Sequence, residues 1–337
     1  MDQAVVKEAL CAVGTLVCDK IHATLRCQSI EEKSAVHLET EADTIYRIDF
    51  FVEEYLVSLL RERAEALGGI VLIAEGVSDA GRPLVLPDGM REDEAAIRLL
   101  VDPIDGTRGV MYDKRSAFFL AGAAPNQGAA TSLRDIETAA MVEIPTTRSH
   151  LSDMLWALRG QGARAVTRDM FTNRLSPRPI VPSQSKTLLG GFAQISRFFP
   201  PGKDLLARVE EEMIAELYPD PPAGRAILFE DQYISTGGQM YELLMGHDRF
   251  NADLRTGLYK RLGKEGATAG LHCHPYDLSA CLIAEEGGVI VTGRNGGPVD
   301  APLDTTSPVD WIAYANPYLR AEVEPVLQRL LKKYGLV

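Results

Sequence analysis

Apolar residues recur at three- and four-residue steps through residues 2–26. Val5, Val6, Leu10, Val13, Leu16, Val17 and Ile21 line one face, so the spacing predicts a helix. Residues 28–44 are polar and acid-rich and read as a loop or excursion. A second apolar face, built by Phe50, Val52, Tyr55, Leu56, Leu59 and Leu60, predicts a helix from about Asp49 to Ala66, stopped by Gly68-Gly69. The run IVLIAEG (70–76) is short, apolar and closed by glycine, the pattern of a buried strand. Residues 78–94 carry Gly81, Pro83, Pro87 and Gly89 and read as a loop. AAIRLLVDPIDG then predicts a strand running into a turn, and AFFLAGAAP, ETAAMVEIP and MLWALRGQGARAV predict further strands with turns between them.

The second half alternates differently. Pro177, Pro179 and Pro182 mark 173–190 as the best candidate for a domain junction. LLARVEEEMIAELY (205–218) predicts a helix. So do QMYELLMGHDRF (239–250), opened by Thr236-Gly237-Gly238, and DLSACLIAEEGG (277–288), with Asp277 near its start. GVIVTG predicts a strand, and RAEVEPVLQRLLKKYG a terminal helix in spite of Pro325. Helices and strands alternating in two blocks point to layered α/β architecture, with an N-terminal domain over 1–183 and a C-terminal one over 184–337.

Composition narrows the function. The 337 residues carry 35 Lys+Arg against 47 Asp+Glu, a net charge of −12, which disfavours nucleic acid and anionic membrane faces as partners. An anionic substrate would have to be met by local cations, and bound metal is the usual supply. Cys11, Cys18, Cys27, Cys273 and Cys281 include no C-x-x-C pair and read as free thiols of a reducing compartment. The N-terminus lacks the apolar core of a signal peptide, and no apolar run approaches a membrane span. The expectation is a soluble cytoplasmic protein.

The sharpest chemical feature is VDPIDGTRG (101–109). An apolar strand ends by delivering Asp102 and Asp105, with Pro103 to stiffen the chain and Gly106 to allow a tight turn. Two close carboxylates repel, so a shared proton or a divalent metal must compensate. An all-oxygen donor set, extended by the Ile104 carbonyl, suits Mg²⁺ before Zn²⁺. Thr107 stands where a helix can begin and offers a hydroxyl to a phosphate oxygen. Read blandly, Asp102 is a helix cap and Asp105 a turn residue. Glu75 ends its strand, the usual place for a ligand in an α/β sheet, although a turn glutamate is more often solvated. Asp277 taken alone reads as a helix N-cap. His272-Cys273-His274 suggests zinc, but no second ligand cluster accompanies it, and a packing or substrate-wall role fits better.

These residues carry a resemblance. DPIDGT resembles the signature of the inositol monophosphatase-like family of metal-dependent phosphatases, which also contains fructose-1,6-bisphosphatases and 3′-phosphoadenosine 5′-phosphate phosphatases. Tyr276-Asp277-Leu278-Ser279-Ala280 with Glu286-Gly287-Gly288 is similar to its second motif, with Tyr where Trp is usual. Asp49 before VEEYL, the turn and helix ISTGGQMYELLMGHDRF, and ANPYL near the end resemble further family elements, and Lys33 and Asp43 roughly match its mobile metal loop. The resemblance spans about residues 30 to 330.

It implies an α-β-α-β-α sandwich of the sugar phosphatase type, two or three Mg²⁺ ions, lithium sensitivity and a homodimer. By position it implies metal binding by Glu75, Asp102, the Ile104 carbonyl, Asp105 and Asp277. Thr107, Asp49 and Glu75 are then the catalytic residues, Thr107 with Asp49 orienting the attacking water. Gly106, Thr107, Gly238, Gln239 and Asp277 are the substrate-binding residues. The implied function is phosphomonoester hydrolysis of a small phosphorylated metabolite: an inositol phosphate, a sugar phosphate or phosphoadenosine phosphate. The alternative is a non-catalytic, metal- or ligand-binding relative with the same fold. Three departures stand out. The family's second Glu of the Glu75 turn is Gly76 here, the place of its inositol-contacting Glu is Ala252, and residues of about 255–270 form an insertion. The second points away from inositol phosphate itself.

Overall fold

The structure, a computed structural model, describes residues 1–29, 31, 36–39, 44–77, 82–220, 224–268 and 270–337, and of 36–39 and 44–50 it gives the backbone path. Lys33 and Asp43 lie outside the described residues. The strands are β1 (Val36–Glu39), β2 (Thr44–Tyr46), β3 (Ile70–Ala74), β4 (Leu84–Leu86), β5 (Ile97–Asp105), β6 (Ala117–Pro125) and β7 (Thr138–Ile144), then β8 (Leu151–Leu158), β9 (Ala163–Asp169), β10 (Leu175–Arg178), β11 (Phe192–Ile195), β12 (Asp248–Asp253), β13 (Ile290–Thr292) and β14 (Trp311–Tyr314). The helices are α1 (Gln3–Cys27), α2 (Arg47–Arg61), α3 (Thr107–Met111), α4 (Lys203–Leu217), α5 (Thr236–Leu244), α6 (Arg255–Gly263), α7 (Cys281–Glu286) and α8 (Pro317–Lys333).

The large sheet runs β10-β9-β8-β7-β6-β5-β3-β4 and is antiparallel except where β3 and β5 lie parallel. The smaller sheet runs β11-β12-β14-β13, and β1 pairs with β2. Strand β5 is buried along its whole length, which explains why it reads as a continuous apolar run and not as an alternating one. Its two faces feed two apolar clusters. Leu99 and Val101 join Phe119, Leu56 and the α1 residues Leu10 and Val17, while Leu100 joins Phe118, Leu120, Phe250 and Trp311. Helices α1 and α2 cover one face of the large sheet. On its other face lie α5 and α7, then the smaller sheet, then α4 and α8 packed on each other. This is the expected α-β-α-β-α sandwich. No helix among the described residues is long and apolar enough to cross a membrane.

Several elements differ from the sequence reading. The helix expected over 239–250 ends at Leu244, because Gly246 adopts φ +78° and turns the chain; the following DRFNAD is a strand whose Phe250 and Ala252 enter the core. The helix expected over 277–288 is two pieces, a 3-10 turn at Pro275–Leu278 and then α7. The proline-rich stretch 173–190 contains β10, where Pro177 is tolerated because the strand is at the sheet edge. The loop at 78–94 contains β4, and the insertion at 255–270 contains α6. The four-residue strands β11 and β14 are too short to show a period in the sequence.

Candidate metal and active site

In a regular strand residues three apart point to opposite faces. Asp102 and Asp105 escape this because β5 bulges between them. Asp102 pairs with Leu120 and Asp105 with Phe118, so one extra residue on β5 answers a two-residue step on β6. Leu120 and Phe118 share the face that looks toward the smaller sheet, and the bulge turns both carboxylates to that side. The Ile104 amide donates to Asp102 Oδ1 at 2.9 Å and fixes the first carboxylate locally. Gly106, at φ +94°, then caps the short helix α3.

The partners come from the second half of the chain. Ser235 Oγ donates to Asp105 Oδ2 at 2.8 Å, and the amides of Thr236 and Gly237 at the start of α5 donate to the same carboxylate at 3.3 and 2.5 Å. Asp277 arrives on the 3-10 turn, where it accepts from the His274 amide at 2.6 Å, so it is also a cap. This turn packs against β6 at Gly122: a Cβ there would lie 2.1 Å from the Ser279 carbonyl oxygen. The result is a group of carboxylate oxygens, one each from Asp102, Asp105 and Asp277, all within 4.8 Å of one another, with Asp102 and Asp105 buried. Among the described residues it is the only such group of three or more His, Cys, Asp or Glu.

Burial and mutual repulsion hold these acids toward the protonated form. Burial, then the charges of Glu75, Asp105 and Asp277, push the Asp102 carboxyl well above its usual value near 3.8. Burial and the Asp105 charge raise Asp277 to about 8. Asp105 rises to about 6, burial being offset in part by its bonds to Ser235, Gly237 and Thr236. A cation at this point would reverse the effect, since three hard oxygen donors already converge there.

The remaining candidates divide. Glu75, whose amide donates to the Val101 carbonyl at 3.3 Å, contributes the largest charge effect on Asp102 but stays outside the 4.8 Å group. Thr107 Oγ1 donates to the Ile104 carbonyl at 2.8 Å, so these two are engaged with each other. Asp49 lies in the first turn of α2, its side chain outside the description. Gly238 donates to Ser235 Oγ, and the Gln239 side chain is buried, donating to Ser196 Oγ and the Tyr233 carbonyl at 3.0 Å each. Both therefore brace the start of α5, and the Gln239 amide is engaged in that contact. Ala252 faces the core, and Asp253 beside it is held by the Arg255 guanidinium. His274 stacks on Tyr276 at 5.4 Å and His272 meets Tyr259 edge-on at 5.1 Å, so both histidines pack.

Sequence reasoning missed Ser235 and Arg255. Ser235, the N-cap of α5, could have been found from its Ser-x-x spacing before a helical run. Arg255 has no sequence signal; buried, bonded to Asp253 and to the Leu271 carbonyl, its charge lowers the pKa of both Asp105 and Asp277.

No family model matches the chain. A curated relative, the fructose-1,6-bisphosphatase/inositol-1-monophosphatase of Methanothermobacter thermautotrophicus, is 24% identical over 286 residues, 83% of this chain and 82% of that protein. The crystal structure of Leishmania major fructose-1,6-bisphosphatase in holo form matches with a TM-score of 0.68 at 12% identity, over 98% of this chain and 96% of that one. An inositol monophosphatase-fructose 1,6 bisphosphatase structure matches with a TM-score of 0.62 at 15% identity, over 95% of this chain and 98% of that one. The resemblance to the inositol monophosphatase-like family is borne out, and the fold is shared with these proteins.

Proposed function

We propose that the chain is a divalent-metal-dependent phosphomonoesterase acting on a small phosphorylated metabolite. The observation that carries this reading is the convergence of Asp102, Asp105 and Asp277 within 4.8 Å at the inner end of β5. The donor set fits Mg²⁺: carboxylate oxygens only, mutually repelling, on rigid elements and supported by backbone amides. Asp102, Asp105 and Asp277 would hold the cation, with Glu75 and the Ile104 carbonyl beside them. Bound there, two or three such ions supply charge neutralisation for a phosphoryl group and acidify water.

The chain's own residues supply placement. The bulge aims Asp102 and Asp105, and the 3-10 turn aims Asp277. Ser235 and the first amides of α5 hold Asp105 as an acceptor. Thr107, anchored on Ile104, sets the hydroxyl that orients water, with Asp49 as its carboxylate partner. The names of the relatives support a phosphate ester as substrate. Because Ala252 is in the core and Asp253 is bound by Arg255, no carboxylate at these positions faces ring hydroxyls. Sugar bisphosphates and phosphoadenosine phosphate are therefore better candidates than inositol monophosphate. We extend the proposal to the homodimer and lithium sensitivity that the resemblance implies, and to the cytoplasmic location that the cysteine pattern and the N-terminal sequence suggest.

A panel of phosphate esters assayed with Mg²⁺ and with excess EDTA tests the reading. Turnover of at least one ester that disappears in EDTA is expected. Undiminished turnover in EDTA would end it, and Mg²⁺ binding without turnover of any ester would favour the non-catalytic alternative. Inositol monophosphate with a kcat/KM about tenfold above the other esters, some 1.4 kcal/mol, would overturn the substrate preference.

A further inference from the structure

Gly76 follows Glu75 directly, with φ +74°. A Cβ built on it would lie 1.8 Å from Glu53 Oε1 and 2.2 Å from Glu53 Cδ. The carboxylate of Glu53 thus fills the volume that any side chain at 76 would need, and it lies against the turn that presents Glu75. It is delivered by α2, whose Val52 and Leu56 are buried in the apolar cluster under β5, so its position is set by a packed helix and not by the turn itself. The left-handed backbone and the occupied space exclude every residue but glycine at 76 without displacement. Glycine at 76 and glutamate at 53 are in this sense one feature: the glycine leaves open the volume that the acid on the packed helix occupies.

We propose that Glu53 is a positioning residue of the candidate site. Its carboxylate, laid over Gly76, holds the Glu75 turn toward Asp102. The inference rests on the phosphomonoesterase reading for its effect on turnover, but not for its effect on metal binding.

The test compares the full chain with Glu53→Gln, Gly76→Ala, the double variant and, as a control on the same helix, the exposed Glu54→Gln. Mg²⁺ alone is titrated by calorimetry, and kcat and KM are measured on the best ester of the panel. Glu53→Gln is expected to lower Mg²⁺ affinity and kcat by about 10- to 100-fold, the usual effect of losing a group that orients a metal ligand, with KM and melting temperature near those of the control. Gly76→Ala displaces the same carboxylate, so it should reproduce the loss, and the double variant should lose much less than the product of the two. Mg²⁺ affinity and kcat of Glu53→Gln equal to the control's would overturn the proposal, as would two losses that multiply. If the parent chain turns over no ester, the phosphatase reading fails, and the Mg²⁺ titration still decides the role of Glu53.

Discussion

Asp102 has two roles that a single substitution separates. Its Oδ1 accepts from the Ile104 amide and so shapes the bulge, while its charge repels Glu75, Asp105 and Asp277. Asn keeps the acceptor and removes the charge. Asp102→Asn should therefore abolish ester turnover, yet without metal it should unfold at a urea concentration no lower than the parent's, because the amide matches the neutral acid that burial and the neighbouring charges favour there. Full activity in this variant would exclude the convergent-carboxylate mechanism. Thr107 is a different case, since its hydroxyl is held by Ile104 and cannot act as a strong base alone. Thr107→Ala should lower kcat by roughly 10²–10⁴ with little change in Mg²⁺ affinity. Combined with Asp49→Asn, the loss should fall well short of the product. Independent losses would mean that Asp49 does not partner Thr107.

At the scale of elements, the site depends on how closely the 3-10 turn at Pro275–Leu278 approaches β6. Gly122 permits that approach, and a methyl group there would meet the Ser279 carbonyl at 2.1 Å. Gly122→Ala should force the turn outward, costing about 1–3 kcal/mol of stability by overpacking. Since Asp277 rides on that turn, Mg²⁺ affinity should fall with it. Urea unfolding together with calorimetric titration checks both, and a variant with parental stability and affinity would show that the turn is not held at this contact. The same contact explains why 277–288 is not one helix. Asp277 bonds the His274 amide and closes the turn on itself, and the chain re-enters helix only at Cys281.

For the whole molecule, the two halves meet through buried like charges, and this makes stability depend on pH and metal together. Asp105 and Asp277 have folded values of about 6 and about 8 against an ordinary 3.8, so between about pH 4 and 8 the folded state binds more protons than the unfolded one. Their contribution is complete below about pH 4 and is lost as pH rises through those values. Glu210, raised to about 7 by burial, and Asp310, raised to about 7 by burial against the Arg294 charge, act in the same direction. In EDTA, urea stability should thus decline from pH 5 to pH 8.5, and saturating Mg²⁺ should flatten the decline, because the cation binds the ionised acids. A pH dependence that Mg²⁺ leaves unchanged would count against the metal site.

Local pattern was sufficient for α1, α4, α8 and the strands β3 and β5–β9, because long stretches with a period or a continuous apolar run carry their burial in their own composition. DPIDGT likewise marked Asp102 and Asp105 as candidates, since two acids three residues apart around a proline and a turn glycine gather like charge on a short segment. The sequence by itself determined that Asp102 and Asp105 would lie at a strand's end. Only the tertiary structure decided that they share a face, because that depends on the one-residue mismatch with Leu120 and Phe118. Only it decided that Gln239 is buried, that Ala252 is in the core, and that Ser235 and Arg255 attend the acids. It alone brought Glu53 onto Gly76 from 23 positions earlier. Periodicity reports which way a residue points within its own element, but it holds no record of which distant element will pack there. The candidate site is made at that second level, where carboxylates far apart in the chain meet in one buried volume.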